Sequence, residues 1–251
     1  MKQATRKILA VLGAASVLAL TGCATHPADP DPYESVNRKV FEFNRGVDRY
    51  VLLPVTKGYR FVVPEIGREG VSNVFQNLGE PANTVNHVLQ GEADDAVATT
   101  FRFLVNTTFG LGGLFDVASW IGNEPRPDDF GQTLAKWGVP QGSYLMIPLL
   151  GPATTRSVGQ IPLSIAANPT TYLLADESFW AKAGVTGAAA VDQRNKMIDS
   201  GVDDMLENVI DPYVALRNAY LQHRRHLTEP ESAADGAGTS GLIPLPLDDE
   251  D

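Results

Sequence analysis

The 251-residue sequence predicts a mainly α single domain built from broken amphipathic helices. Three observations carry that prediction. Apolar residues recur at three- and four-residue steps far more often than they alternate. Gly and Pro, at 23 and 17 residues, both exceed their usual shares of about 7% and 5%, so elements should be short or interrupted. A chain of this length can also bury a sizeable core, which excludes disorder throughout.

Taken in order, Val36, Val40, Phe43, Val47 and Tyr50 form one stripe at helical spacing, with Arg38, Lys39, Glu42 and Arg45 largely off it and Pro54 as its stop. Pro81 suits the first position of a short helix carrying Val85, Val88 and Leu89 and ending at Gly91. Ala93, Val97, Thr100, Phe101, Leu104 and Thr108 make the next stripe, opened by Glu92, Asp94 and Asp95 and closed by Gly110. Tyr144 to Leu150 is the one stretch that reads as strand, and Pro148 weakens it. Val191, Ile198, Val202, Met205, Leu206 and Val209 mark a long helix, and Pro212 starts another through Leu221. The ordinary account of each stripe is core packing. Residues 110–121 and 147–167 are apolar on nearly all sides and fit two accounts, burial or a place in an acyl layer. Neither is an uninterrupted run of about eighteen apolar residues that would span a bilayer.

The two ends differ from this domain. Lys2, Arg6 and Lys7 precede an apolar run from Ile8 to Leu20, the layout of a secretory signal at 1–22. Leu20-Thr21-Gly22-Cys23 then matches a bacterial lipobox, and Cys23 is the only cysteine, so lipidation at Cys23 is expected and disulfides within the chain are excluded. Two or three acyl chains there would anchor the protein firmly. The signal resembles those of Gram-negative lipoproteins, and Ala24 in place of Asp favours release to the outer membrane. Three prolines between Ala24 and Pro32 make 23–32 a stiff tether, and the acidic stretch 228–251 should be disordered. The folded unit is therefore 33–227. Net charge is −10, and −13 without the three cations of the signal, a balance that repels phosphate backbones and excludes nucleic-acid partners.

The search for chemistry yields little. G-x-S-x-G, Walker, H-E-x-x-H and complete G-x-G-x-x-G patterns are missing from the sequence. His223 and His226 flank Arg224 and Arg225, a poor setting for a metal, and the Asp pairs at 94–95, 128–129 and 203–204 do not face one another on a helix. No catalytic residue, metal ligand or cofactor is expected. Asn73, Asn77, Asn83 and Asn86, beside Gln76 and Gln90, admit two readings: amides that satisfy broken helices, or the wall of a partly wet passage for a lipid headgroup.

The residues then resemble one family, the MlaA (VacJ) outer-membrane lipoproteins. The matching blocks are Asp31-Pro32-Tyr33-Glu34 with Asn37-Arg38 and Phe43-Asn44; Asn77-Leu78 with Glu80-Pro81, Asn86 and Leu89-Gln90-Gly91; Arg102-Phe103 with Asn106-Thr107-Thr108, Gly110, Gly112-Gly113 and Asp116; Phe130 to Leu134 with Trp137-Gly138-Val139, Gly142, Tyr144 and Gly151; and Asp211-Pro212-Tyr213 with Arg217, Ala219-Tyr220 and Arg224. The resemblance implies a helical ring in the inner leaflet of the outer membrane, facing the periplasm, with a central amphipathic channel. It implies a non-enzymatic role: phospholipids misplaced in the outer leaflet descend to a periplasmic, MlaC-like carrier, maintaining lipid asymmetry, with a trimeric outer-membrane porin as partner. Phe43 and Asn44 would then be gate elements of the channel, and Gly110, Gly112 and Gly113 would let the backbone bend where a helix must curl in the leaflet. Two competing readings are an anchored lipid hydrolase, which needs a serine or cysteine within reach of His87, His223 or His226, and a structural porin-associated lipoprotein.

Overall fold

The computed structural model describes residues 30–228, so the signal, Cys23, most of the tether and nearly all of the acidic stretch lie outside the described residues. Helix α1 (Glu34–Val47) passes through a π turn (Asp48–Leu52) directly into α2 (Leu53–Val62). Pro54 was expected as a stop. It falls instead in the first turn of α2, and the wider winding before it accommodates a residue that offers no N–H.

Helix α3 (Glu65–Gln90) corrects a second expectation, because it is one 26-residue helix with Pro81 inside it rather than a short helix beginning there. The proline forfeits one backbone bond, while side chains on the same helix, Asn77, Glu80 and Asn86, are buried and hydrogen-bonded and hold the segment helical. Gly91, at φ 78°, ends it as expected, with Glu92 N–H donating to His87 O and Gly91 N–H to Val88 O in a Schellman closure. Helix α4 (Ala93–Thr108) returns along α3, and the one-turn helix α5 (Val117–Trp120) is capped by Asp116.

Asp129 caps α6 (Phe130–Lys136). The expected strand is shorter than Tyr144 to Leu150. Strand β1 (Tyr144–Ile147) pairs antiparallel with β2 (Gly151–Thr154), which the sequence did not reveal, and Pro148 to Leu150 form the turn with Leu149 at φ 65°. Then follow α7 (Thr155–Val158), entered through a Thr154/Ser157 capping box, α8 (Gln160–Ala167) and α9 (Pro169–Leu173). The long late helix is two: α10 (Phe179–Asp199) and α11 (Val202–Glu207), broken at Gly201, whose φ is 70°. Helix α12 (Pro212–His226) starts at Pro212 under an Asp211 cap. Among the described residues no helix is long and apolar enough to cross a membrane.

Among the described residues, the buried apolar cluster lies where α1, the hairpin and α12 meet. Phe41, Tyr144, Met146, Tyr213 and Leu221 cluster there, with edge-on ring contacts at 5.6 Å for Phe41–Tyr213 and 6.2 Å for Tyr144–Tyr213.

Candidate functional site

Burial in this protein runs opposite to its hydrophobic periodicity. Nine hydrophobic residues are buried among those described, against nineteen polar or charged ones, the reverse of an ordinary water-soluble core. The stripe that begins on α1 is divided: Val36 and Phe43 are exposed, and Tyr50 in the π turn is 76% exposed, while Val40 packs against the apolar core and Asn37 lies inside. On α4, Val97, Phe101 and Leu104 are exposed, and Ala96, Thr99, Arg102, Val105 and Asn106 line the buried side. The expectation that these stripes pack a core holds for Val40 and is overturned for Val36, Phe43, Tyr50, Val97, Phe101 and Leu104. Their large side chains need an apolar neighbour other than the fold itself, and patches beyond a few hundred Å² are rare on soluble monomers. Phe61, Ile66, Phe109, Leu111, Trp120, Leu149 and Trp180 are exposed as well, Phe61 at 92% and Trp180 at 80%. Of the two accounts of 110–121 and 147–167, exposure holds for Leu111, Phe115, Trp120, Leu150 and Ile165.

The inside is held by paired charges. Arg102, 1% exposed, donates from Nε to Glu80 Oε1 at 2.9 Å, from Nη2 to both oxygens of Asp116 at 2.9 Å, and from Nη1 to Ser119 Oγ and the Asn123 carbonyl. Asn106 adds a donor to Asp116 at 2.9 Å and accepts Ala118 N–H. Burial alone pushes the Asp116 carboxyl up, but the bonds from Ser119, Arg102 and Asn106 outweigh it and hold it below the ordinary range. A second knot joins α1 to the hairpin and α12: Asn37 donates to Asp31 at 2.7 Å and accepts Met146 N–H, while Tyr213 and Arg217 both donate to Asp31. In a third, Arg194 on α10 binds Asp48 in the π turn and Asp203 on α11.

His87 anchors a fourth, its two ring nitrogens facing Glu92 at 2.8 Å and the Arg126 carbonyl at 3.1 Å, with Asp128 at 3.5 Å. Two acceptors on one ring favour the imidazolium. Burial lowers its pKa, but the acceptors and carboxylates raise it further, for a net shift above the ordinary value. Burial also pushes the Asp128 carboxyl up to about 6. His87, Glu92 and Asp128 offer ligand atoms within 4.8 Å of one another. Lys136 donates to Glu92 at 2.5 Å and Gln90 donates to Asp128, so both carboxylates already serve protein cations and amides, a poor fit to a metal.

The sequence-derived candidates fall in two places. Asn44 donates to the Ile147 carbonyl at 3.0 Å and accepts Leu149 N–H at 2.8 Å, so it grips the hairpin tip, while neighbouring Phe43 is exposed. Gly110, Gly112 and Gly113 form the turn after α4. A Cβ on Gly110 would collide with the Phe115 and Asn106 carbonyls, and one on Gly113, at φ 96°, would sit 2.6 Å from the Asn77 Cβ. The asparagines do not satisfy broken helices, since α3 is continuous; Asn77 donates to Thr107 Oγ1, Asn83 to Glu80, and Asn86 accepts from Thr133, so they bond α3 internally and to neighbouring segments. No catalytic or metal-site pattern in the sequence marks the Arg102 and Arg194 knots. A signal was available, since Gly70, Asn73, Asn77, Glu80 and His87 keep helical spacing on α3 just as the apolar residues do.

A family model described as MlaA lipoprotein matches residues 29–227. The chain belongs to the MlaA lipoprotein family. Among MlaA relatives, the intermembrane phospholipid transport system lipoprotein MlaA of Haemophilus influenzae is 35% identical over 235 residues, 87% of this chain and 89% of that protein. The Escherichia coli K12 protein of the same name is 35% identical over 211 residues, 81% and 82% of the two chains. A solved chain from work on the structural basis for maintenance of bacterial outer membrane lipid asymmetry superposes with a TM-score of 0.66 at 37% identity, covering 79% of this chain and 99% of that one. Many residues that carry the MlaA resemblance build two of the interior knots: Glu80, Arg102, Asn106 and Asp116 bond within one, and Asp31, Asn37, Tyr213 and Arg217 within the other.

Proposed function

We propose that this protein is a lipid-anchored component of a phospholipid transport system at the outer membrane, which takes misplaced phospholipid from the outer leaflet and passes it to a soluble periplasmic carrier. The observation that carries this reading is the inverted burial: apolar side chains point outward on α1, α3, α4 and the hairpin turn, while charged and amide groups are turned inward and paired. Such a body gains by lying among acyl chains, where Phe61, Trp120 and Trp180 leave water. Membership of the MlaA family and the names borne by its Haemophilus and Escherichia relatives support phospholipid as the cargo.

The work needs no reaction. A headgroup crossing hydrocarbon meets a barrier because its charge loses water, and a protein wall offering polar groups lowers that barrier without setting direction. Removal of lipid on the periplasmic side would set it. A non-enzymatic role also suits His87, whose ring nitrogens face a carboxylate and a carbonyl, and His223 and His226, which stand exposed on the last turn of α12. A trimeric porin and an MlaC-like carrier are the partners this reading requires.

The test is the phospholipid content of the outer leaflet in cells lacking the protein, reported by a surface-acting phospholipase. We expect a rise on deletion, full reversal by the wild type and poor reversal by Cys23→Ala. An unchanged outer leaflet with intact porin levels would instead assign the protein to bracing the porin.

A further inference from the structure

One rod of this fold runs against the charge of the rest. Helix α1, the π turn and α2 follow one another from Glu34 to Val62 and carry six cations against three carboxylates, a balance of +3. Residues 63–228 carry eleven cations against eighteen carboxylates, a balance of −7. Two of the rod's cations have counter-ions: Arg38 pairs with Glu34 and Asp211, and Arg60 with Asp199. The other four, Lys39, Arg45, Arg49 and Lys57, are exposed, and among the described residues none of them forms an ion pair. Two of the three carboxylates on the rod are engaged elsewhere, Glu34 by Arg38 and Arg217 and Asp48 by Arg194. Arg45 and Arg49 stand four residues apart, a helical spacing that brings side chains together and penalises like charges. Each guanidinium also lies over an aromatic ring of the rod, Arg45 at 5.7 Å from Phe41 and Arg49 at 5.9 Å from Tyr50, which favours keeping both charges beside it.

The neighbours of these cations say what kind of partner they face. Phe43, Tyr50, Val51, Val55 and Phe61 are exposed on the same rod. At about 100° per residue, Val36 and Phe43 lie at one edge of the exposed arc of α1 and Arg45 at the other, with Asn37 and Phe41 buried on the far side from Lys39. A helix with apolar residues on one flank and basic ones on the other fits the boundary where headgroups meet acyl chains. An acidic protein would use the cations and leave the apolar flank in water. We propose that the outer face of α1, the π turn and α2 is a docking surface for anionic phospholipid headgroups, centred on Arg45 and Arg49, with Phe43 and Phe61 entering the acyl layer beside them. This rests on the membrane placement in the transport reading above, and adds which face meets the headgroups and which headgroup charge it selects.

The experiment reconstitutes the full-length lipoprotein in phosphatidylcholine vesicles and measures, by electron spin resonance, how much chain-labelled phosphatidylglycerol or phosphatidylcholine is slowed at its surface. We expect the anionic lipid to associate about 5-fold more strongly at low salt, the scale of one basic residue at an anionic surface. The preference should vanish near 1 M salt, where the screening length is about 3 Å. Arg45→Gln with Arg49→Gln should at least halve it, while Lys182→Gln, an exposed cation on α10, should leave it unchanged. Arg45→Lys with Arg49→Lys keeps both charges and should keep most of the preference. A loss there equal to that of the Gln pair would assign the arginines to packing over Phe41 and Tyr50 and overturn the proposal. So would a Gln pair that retains the full preference. Equal association of both lipids with the wild type would also overturn it, leaving the cations to an acidic polypeptide. Inorganic phosphate that abolishes the preference, against chloride at matched ionic strength, would replace the headgroup surface with a free-anion site. If the Gln pair fails to fold, Lys39→Gln with Lys57→Gln carries the same test away from the Phe41 ring. An unchanged outer leaflet on deletion would sink the transport reading and leave this lipid preference standing, so the two fail separately.

Discussion

Arg102 Nη2 donates to both carboxylate oxygens of Asp116 at the same distance, 2.9 Å, and in doing so fastens the short turn after α4 to the interior of the α3–α4 pair. Arg102 has no water to fall back on, and without Asp116 it keeps Glu80 as its counter-ion but loses two charge-assisted bonds. Asp116→Ala should cost about 1.5–3 kcal/mol, read as the midpoint of urea denaturation in detergent. A loss below about 1 kcal/mol, the scale of a surface pair, would show that the clasp is not structural.

The glycine turn offers a paired test. Gly113→Ala combines a left-handed backbone with a contact against Asn77 and should destabilise by about 1–3 kcal/mol. Gly79→Ala, inside α3 where an added methyl meets nothing within 4 Å, should stabilise by about 0.5–1 kcal/mol. Equal melting temperatures for the two variants would remove the argument for that turn.

Asn44 and Phe43 separate bracing from gating. Asn44→Ala loses two bonds to the hairpin tip and should raise hydrogen exchange at Leu149 and cost about 1–3 kcal/mol. Phe43→Ala, on the exposed face, should shift stability by no more than about 0.5 kcal/mol. A transport defect in Phe43→Ala at unaltered stability is the result expected of a gate element.

His87 gives the interior a pH dependence of definite sign. Its folded pKa lies above 6.5, so its contribution to stability is complete below that value and disappears as pH rises through the folded one. Asp128, raised from 3.8 to about 6, loses its contribution over the lower window between those two values, in the same direction. The protein should therefore melt at a lower temperature at about pH 8 than at about pH 6, and His87→Gln should flatten the upper part of that slope. A wild-type Tm that climbs between those pH values would contradict this account.

The exposed tryptophans report insertion directly. Trp120 and Trp180 stand on the apolar surface, so phospholipids brominated along the acyl chain should quench their fluorescence when the protein is added to vesicles. Quenching confined to Trp137, whose Nε1 is tied to the Leu89 carbonyl, would argue that the outward face does not enter the acyl layer.

The helical class, the start of α12 at Pro212 and the ends of α3 and α4 were all legible, because capping and glycine stops are local chemistry. Helix continuity was not. Whether Pro54 or Pro81 ends a helix depends on what its neighbours bond across space, and Asn77, Glu80 and Asn86 find their partners in residues 22 to 47 positions away or inside their own helix. The direction of burial was illegible for a different reason. Periodicity finds two faces on a helix, and only the surrounding medium decides which is the inner one. The family blocks marked the right residues, Arg102 and Asp116 among them, without showing that their shared role was to bond one another. Strand β2, with Gly151 and Pro152 in four residues, carries almost no propensity and exists because β1 pairs with it.

An interior made of directional bonds distributes mutational tolerance in an unusual way. In a water-soluble domain the inside accepts many hydrophobic exchanges of similar volume, and the outside accepts nearly anything polar. Here the outward positions, Val97, Leu104 or Ile66, should drift freely among aliphatic and aromatic types but reject charge, whereas the inward ones, Glu80, Asn106 or Asp31, each have a geometry that no other residue reproduces. Related chains would then diverge fastest where they are greasiest, and identity between distant members would concentrate in the amides and charges at the centre.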